Sequence, residues 1–191
     1  MSSSKVLNLF FKIRGLLACP PVVYTIIISI SVFALAGALI SQHVFGLEPC
    51  ILCLYQRIPY ALAIGAGLGG LLLKEQGSLI KAVPSGLCIF IFLTNFIIAT
   101  HHVGVEQKWW QSYAEGCSMQ SIQGAANKQE LLRQILSAPA VPCDKIPWVD
   151  PIFGQSMAVY NALLSFGMAV FSVLACYFIF TYRRRKIDIL T

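Results

Sequence analysis

Charged side chains are what this 191-residue sequence has least of. They make up 12% of its residues, while hydrophobic residues make up 57%. An average soluble protein has roughly a quarter of its residues charged, so the composition excludes an ordinary soluble domain. The sequence also lacks long low-complexity segments and internal repeats. What remains is a single small membrane domain over residues 1–191.

Four apolar stretches are each long enough to cross a hydrocarbon core, which takes about 20 residues in a helix. The sequence therefore predicts an all-α fold, an integral membrane four-helix bundle with two outer loops at about 42–53 and 101–156. The predicted spans are at about 22–41, 54–73, 80–100 and 157–180.

Basic residues predict the orientation of the bundle. Most of the 14 Lys and Arg residues lie before span one, at the turn between spans two and three, or after span four: Lys5, Lys12, Arg14, Lys74, Lys81, Arg183, Arg184, Arg185 and Lys186. The positive-inside rule places these segments and both termini in the cytoplasm. The formal charge of +6 is thus interpreted as a topology signal, and no nucleic-acid partner is predicted.

A cleaved signal peptide is an alternative interpretation of the N-terminus. Basic residues, an apolar run and the small-residue triplet 34–36 occur in the right order for one. The apolar run, however, continues to Ile40, and its removal would leave an odd number of spans. We expect an uncleaved first span.

The seven cysteines separate by their predicted depth. Cys50 and Cys53 lie at the outer mouth of span two, and Cys117 and Cys143 lie in the long outer loop. All four face the side on which disulfides persist. The other three, Cys19, Cys88 and Cys176, are expected to pack as small hydrophobic residues.

The segment EPCILCLYQR, residues 48–57, contains the tight cysteine pair. Cys-X-X-Cys pairs commonly form an easily exchanged disulfide in which one thiol has a lowered pKa. Pro49 suits the first position of a helix, which would place Cys50 in a first turn that favours a thiolate. Arg57 follows Cys53 by one helical turn. This pattern predicts a stabilised anion, either a Cys53 thiolate or a reduced ligand.

Two other interpretations of this segment are open. A Cys-X-X-Cys pair also occurs in zinc sites, and Cys117 with Cys143 would complete a four-sulfur set. Zinc ribbons use a second tight pair, which the sequence lacks, so we favour dithiol chemistry and predict no metal site. Arg57 alone would also be explained by an interaction with lipid phosphates.

The remaining motifs concern packing and the outer loop. Trp109 and Trp110 are typical of a membrane interface, and residues 121–136 have the apolar spacing of a short amphipathic helix. Prolines around Cys143 exclude a helix there and predict that this cysteine is accessible to a partner protein. Gly65 and Gly69 have the spacing of a close helix contact.

Taken together, these motifs resemble the disulfide bond formation protein B (DsbB) family. The resemblance rests on a tight outward cysteine pair at the start of span two with Arg four residues later, and a loose pair in the loop between spans three and four. The segments HVGVEQKWW and VPCDKIPWVDPIFGQSMAVYNALLS also resemble one branch of that family, so the match runs from about residue 40 to 180.

The resemblance implies a quinone-linked membrane oxidoreductase in a bacterial inner membrane, with its active cysteines in the periplasm. Its partner would be a soluble thioredoxin-like oxidase of the DsbA type, and its electron acceptor ubiquinone or menaquinone. Cys117 would form the mixed disulfide with that oxidase, and Cys143 would be its resting partner. Cys143 would then attack Cys50, and Cys53 would pass electrons to the quinone.

For the quinone, the resemblance implies Arg57 as a binding residue. A histidine at the end of span three is a second candidate, and of His101 and His102 we choose His102. A vitamin K epoxide reductase-like enzyme is an alternative, but there the loop pair precedes the Cys-X-X-Cys. A structural or metal-binding four-span protein without redox turnover is the other alternative.

Overall fold

The computed structural model describes residues 14–73, 78–112, 114, 117, 127–129 and 141–188, without the side chains of 78, 79 and 182–188. Over these residues the fold is all-helical, with one isolated β-bridge between Val149 and Ser156 and no strand. The long helices are α1 (Pro20–His43), α2 (Ile51–Leu72), α3 (Ser78–Glu106) and α4 (Met157–Asp188). Each contains a stretch long and apolar enough to cross a membrane. The predicted all-α fold with four spans is confirmed.

Three helix boundaries differ from the prediction by more than two residues. Helix α2 begins at Ile51 rather than near residue 54, α3 continues to Glu106 rather than ending near 100, and α4 continues to Asp188 rather than ending near 180. The extra turns of α3 contain His102 and Glu106, polar side chains that ended the apolar run in the sequence. Both are buried, with exposed fractions of 3% and 7%, because they find hydrogen-bonding partners inside the protein.

The chain forms two compact units. The first, called the apolar unit here, consists of Met1–Leu35, Pro59–Leu93 and Ser165–Thr191. The second, called the cysteine unit, consists of Ala36–Ile58 and Thr94–Leu164. Each long helix contributes to both units, and all four predicted site cysteines belong to the cysteine unit.

The apolar unit has a core to which all four helices contribute, including Tyr24, Ala63, Phe92 and Met168. Its helices approach each other through glycine, but not through the predicted pair: no described atom lies within 4 Å of a Cβ built at Gly65 or Gly69. The contact is made on another face of α2, at Gly67 and Gly70. A Cβ at Gly67 would lie 2.7 Å from the side chain of Ile28, and one at Gly70 would lie 2.6 Å from the ring of Tyr24.

The loop motifs of the cysteine unit are only partly within the described residues. The predicted amphipathic helix at 121–136 lies outside them, apart from 127–129. Trp109 is 67% exposed and Trp110 42%. The Trp110 indole donates to the His101 carbonyl oxygen at 3.2 Å and stacks on the His101 ring. Trp110 therefore closes the end of α3, while Trp109 is available to an interface.

Candidate active site

Cys50 lies directly before α2 and caps its N-terminus. Its carbonyl oxygen accepts the Leu54 N–H at 3.2 Å, and its Sγ accepts the Cys53 N–H at 3.4 Å. These are the two bonds of an N-cap residue, so Cys50 occupies the cap and Pro49 precedes the helix. The sequence placed both residues further into the helix. The predicted stabilisation of a Cys50 thiolate is kept, because a sulfur at the cap still accepts an N–H at the positive end of the helix dipole.

The tight pair is in the free thiol form, with the two sulfur atoms 3.2 Å apart. Cys50 is buried, and Cys53 is half-buried. The Nε2 atom of His102, on α3, lies 3.5 Å from the Cys50 sulfur. Three polar groups thus surround Cys50: the Cys53 thiol, the Cys53 backbone N–H and the His102 imidazole.

These groups favour the Cys50 anion. The hydrogen bond from the Cys53 thiol, and after it the bond and charge of His102, lower the pKa of Cys50 well below its usual value, although burial acts in the opposite direction. A thiolate, not a thiol, is the nucleophile in disulfide exchange. In the reduced pair, the geometry therefore favours the negative charge on Cys50, as its predicted place at the helix N-terminus implies, whereas the spacing of Arg57 pointed to Cys53.

His102 belongs to a buried polar network that connects α2, α3 and α4. Its Nδ1 atom lies 3.1 Å from Nε2 of Gln56, and the Gln56 Oε1 atom accepts a hydrogen bond from Asn161. On its other side, His102 Nε2 lies 3.7 Å from a carboxylate oxygen of Glu106, whose second oxygen accepts a hydrogen bond from Ser156. The network holds the imidazole against Cys50 from three helices.

The loose cysteine pair is joined. Cys117 and Cys143 form a disulfide with an S–S distance of 2.02 Å, the pairing that the family resemblance implies, and the Cys143 N–H donates to the Cys117 carbonyl oxygen. Cys117 is 2% exposed and Cys143 is not exposed. The expectation that Cys143 is accessible is therefore wrong for this state, because the disulfide packs inward instead of towards solvent.

Both pairs belong to one hydrophobic cluster. Cys50, Cys117 and Cys143 are buried in it with Leu52 and Val105, and Cys53 packs against it. A disulfide and a dithiol thus share one apolar environment. Such a cluster brings together the groups that thiol–disulfide exchange requires.

The Arg57 guanidinium bonds to a side chain of α1. Its Nη1 atom donates to Oε1 of Gln42 on α1 at 2.8 Å, and the side chain is half-buried. This bond uses one of the five N–H donors of the guanidinium. The other quinone candidate, His102, has both ring nitrogens within the buried network.

The structure brings together only part of the four-cysteine metal site that the sequence left open. Cys50, Cys53 and His102 offer ligand atoms that all lie within 4.8 Å of one another, a set that suits a thiophilic cation such as Zn²⁺. Cys117 and Cys143 are bonded to each other and supply no thiolate in this state. The four-cysteine site is therefore not formed.

Sequence reasoning missed four residues of this site: Gln56, Glu106, Ser156 and Asn161. One signal was available, because His102 and Glu106 are four residues apart on a helix and so share a face. The contacts of Gln56 with His102 and Asn161 span 46 and 105 residues. Nothing local in the sequence indicates them.

Comparison with known proteins agrees with the family resemblance of the cysteine motifs. The sequence matches the family described as disulfide bond formation protein DsbB over residues 21–175. It is 30% identical over 161 residues to disulfide bond formation protein B of Stutzerimonas stutzeri, covering 81% of this chain and 93% of the relative.

Two further relatives cover similar shares. The Polaromonas protein of the same name is 29% identical, over 80% of this chain and 88% of the relative. An uncharacterized protein of Rickettsia prowazekii is 32% identical, over 76% of this chain and 81% of the relative. No solved structure matches the chain.

Proposed function

Since the chain belongs to the DsbB family and is a membrane protein of disulfide bond formation, we propose that it reoxidises a periplasmic DsbA-type dithiol oxidase and passes the electrons to a membrane quinone. The observation that supports this function is the shared cluster of the Cys117–Cys143 disulfide and the Cys50/Cys53 dithiol. One pair would face the protein substrate, and the other would face the quinone.

The first half of the proposed reaction is a series of exchanges in which each step forms one S–S bond and breaks one. A thiolate of the partner attacks Cys117, and the electron pair of the broken bond leaves on Cys143. Cys143 then attacks Cys50 of an oxidised Cys50–Cys53 pair, and Cys53 leaves as a thiolate. The shared cluster supports this order, since Cys50 and Cys143 are buried in the same apolar environment.

The lowered pKa of Cys50 serves the second half. After the partner's second thiol has released Cys117, Cys117 attacks Cys143 and the loop disulfide forms again. Cys50 is the leaving sulfur of that step, and a thiol of lower pKa leaves faster. His102 lowers that pKa, and so does the Cys53 thiol once its sulfur has taken up a proton, so they favour return of the loop pair to its oxidised state.

A quinone, ubiquinone or menaquinone, would supply a two-electron acceptor that also takes up two protons. On this chain, Arg57 is the residue best suited to hold its ring, because the guanidinium follows Cys53 by one helical turn and is half-buried. The contacts of His102 with Cys50 and Gln56 support a role on the sulfur instead of on the quinone.

We place the protein in the bacterial inner membrane with both termini in the cytoplasm and the active cysteines facing the periplasm. The basic residues Arg14, before α1, and Lys81, near the start of α3, support this orientation. So does the Cys117–Cys143 disulfide, since such bonds persist outside the reducing cytosol.

The test is quinone reduction by the purified protein, followed by absorbance, with a reduced DsbA-type oxidase as the electron donor. We expect Cys53→Ser to keep the Cys117–Cys143 disulfide and to abolish quinone reduction, because no thiol remains to close the Cys50 disulfide. The matched control is Cys88→Ala, since Cys88 is a buried free cysteine of the apolar unit. It should retain turnover.

Normal turnover in Cys53→Ser would contradict the assignment. A wild-type protein that leaves quinone oxidised under these conditions would favour a structural or metal-binding protein instead. Zinc content measured on the same preparation separates those two alternatives.

A further inference from the structure

Two amides near His102, the buried Gln56 and the half-buried Asn161, have no part in the exchange reactions above. Gln56 is 6% exposed, and its side chain lies between His102 of α3 and Asn161 of α4. Buried amides that only fill space are costly, so their orientation requires an explanation. We propose that Gln56 and Asn161 are positioning residues that keep the proton of the neutral His102 ring on Nε2, directed at the Cys50 sulfur.

The argument begins at Asn161. Its Nδ2 atom donates to Oε1 of Gln56, which assigns the oxygen end of the Gln56 amide to α4. The nitrogen end then faces Nδ1 of His102 at 3.1 Å. An amide NH₂ can only donate, so Nδ1 must accept and carries no hydrogen. The single proton of the neutral imidazole is therefore on Nε2.

The position of Nε2 gives this proton its role. Nε2 lies 3.5 Å from the Cys50 sulfur and 3.7 Å from a carboxylate oxygen of Glu106. Cys53, His102 and Glu106 are the titratable groups described around Cys50. Of these, His102 and Cys53 can donate to a Cys50 anion, while the Glu106 carboxylate only accepts. With the proton on Nδ1, Nε2 would have no hydrogen to donate to the Cys50 sulfur. Nε2 and the sulfur would then face each other as two acceptors.

Glu106 is itself held in place. One of its oxygens accepts from Ser156, and the other faces Nε2. Glu106 therefore contacts the ring from the Nε2 side, whereas Gln56 and Asn161 select the tautomer of the neutral ring.

This inference rests on Cys50 being a thiol of the proposed relay, but its test needs neither quinone nor partner. The pKa of Cys50 is measured from the pH dependence of its alkylation, by mass spectrometry of the peptide that contains it. A Cys53→Ser background leaves Cys50 as the only thiol of the pair. Gln56→Met keeps the size of the side chain and removes its donor, and His102→Leu removes the ring.

We expect Gln56→Met to raise the Cys50 pKa by about one unit, the size of a typical hydrogen-bond effect, and His102→Leu to raise it at least as far. The double variant should match His102→Leu, because the amide acts through the ring. Neighbours that act through one another are non-additive in this way. An unchanged pKa in Gln56→Met, or an equal shift when His102 is absent, would overturn the proposal.

A second variant tests the tautomer itself. In Asn161→Asp the new carboxylate can only accept, so it should turn the Gln56 amide around and move the ring proton to Nδ1. The chain has only three histidines, His43, His101 and His102, so ¹⁵N spectra of histidine-labelled protein can be assigned with single Gln variants of the first two. They should show Nε2–H in the wild type and Nδ1–H in Asn161→Asp.

Ser85→Ala is the control, since Ser85 is a buried hydrogen-bonding residue of the apolar unit. It should leave the His102 spectrum unchanged. The same His102 tautomer in the wild type and Asn161→Asp would overturn the proposal. A protein with the expected spectra and no quinone reduction would instead refute the proposed function and leave the positioning role intact.

Discussion

The apolar unit and the cysteine unit are built from the same four helices but bury different kinds of side chain. In the apolar unit the buried polar groups are mainly hydroxyls, such as Ser85, which donates to the Ser172 carbonyl oxygen, and Ser165, which pairs with Tyr60. In the cysteine unit they include an imidazole, a carboxylate, an amide and a hydroxyl in one connected network: His102, Glu106, Gln56 and Ser156.

This difference separates packing from chemistry. Hydroxyls can bond to the backbone of a neighbouring helix without carrying charge, so the apolar unit keeps a core that suits a membrane span. Ionisable groups buried at depth are costly and usually functional. Their concentration around Cys50 indicates that folding stability is sacrificed here to control the protonation of one sulfur atom.

The largest expected effect separates the cysteines of the two units. In Cys143→Ser the loop disulfide cannot form, so the thiolate of a reduced partner has no S–S bond there to attack. Turnover should therefore fall by at least about 100-fold, as for loss of an essential nucleophile. A mixed disulfide should form only with the oxidised partner, whose disulfide the free Cys117 thiolate attacks while one partner sulfur leaves. The measurement is a non-reducing gel with a DsbA-type oxidase, together with quinone reduction.

Cys88→Ala is the counterpart in the apolar unit, because Cys88 is fully buried and free. It should give no mixed disulfide and should turn over within about twofold of wild type, as expected of a packing residue. A strong loss of turnover in Cys88→Ala at unchanged stability would break the division between the two units.

A smaller effect should appear in stability and leave the chemistry unchanged. Gly70→Ala would place a Cβ 2.6 Å from three ring atoms of Tyr24. That ring cannot move freely, because its hydroxyl donates to the Lys81 carbonyl oxygen. Overpacking of this kind costs about 1–3 kcal/mol, so the midpoint of thermal unfolding in detergent should fall. The alkylation profile of Cys50 should not change.

Gly69→Ala is the matched control on the same helix. No described atom lies within 4 Å of its Cβ position, and alanine is the better helix former by about 1 kcal/mol. The variant should be at least as stable as wild type. Equal destabilisation of both variants would contradict the assignment of the helix contact to Gly70.

The same glycines show how far the sequence determines the fold. The four helices follow from apolar runs of sufficient length, and this prediction needs no knowledge of their neighbours. Which face of a helix meets its partner depends on rotation about its axis, and α2 is apolar on most of its surface. The spacing of Gly65 and Gly69 therefore could not show that the helix contact is made by Gly67 and Gly70 instead.

The site divides in the same way. The cysteine pairs were visible because their chemistry is tied to residue type and short spacing. The environment of Cys50 was not, because Asn161 and Ser156 reach Gln56 and Glu106 from a distant part of the chain. Arg57 is intermediate, since its spacing from Cys53 is local while its observed contact with Gln42 is not.

The smallest expected effect concerns the turn between Cys143 and α4. The Asp150 carboxylate accepts the Phe153 N–H at 2.8 Å and the Tyr160 hydroxyl at 2.9 Å. The bond from Phe153, and after it that from Tyr160, lower the pKa of Asp150. Because the charged form is the one that is bonded, the turn should be intact at neutral pH and should loosen as the pH falls through this lowered value.

Asp150→Asn tests that reasoning at neutral pH, because an amide oxygen without charge accepts these bonds more weakly. We expect a severalfold loss of hydrogen-exchange protection at the Phe153 amide, with quinone reduction within about twofold of wild type, since Asp150 is not among the residues of the cysteine cluster. The variant should also lose the acid-dependent loosening. Since Cys143 is buried, a looser turn should make the loop disulfide slightly easier for a partner to reduce. Unchanged protection in Asp150→Asn would show that the turn is held by the packing of the cysteine unit and not by the charge of the Asp150 carboxylate.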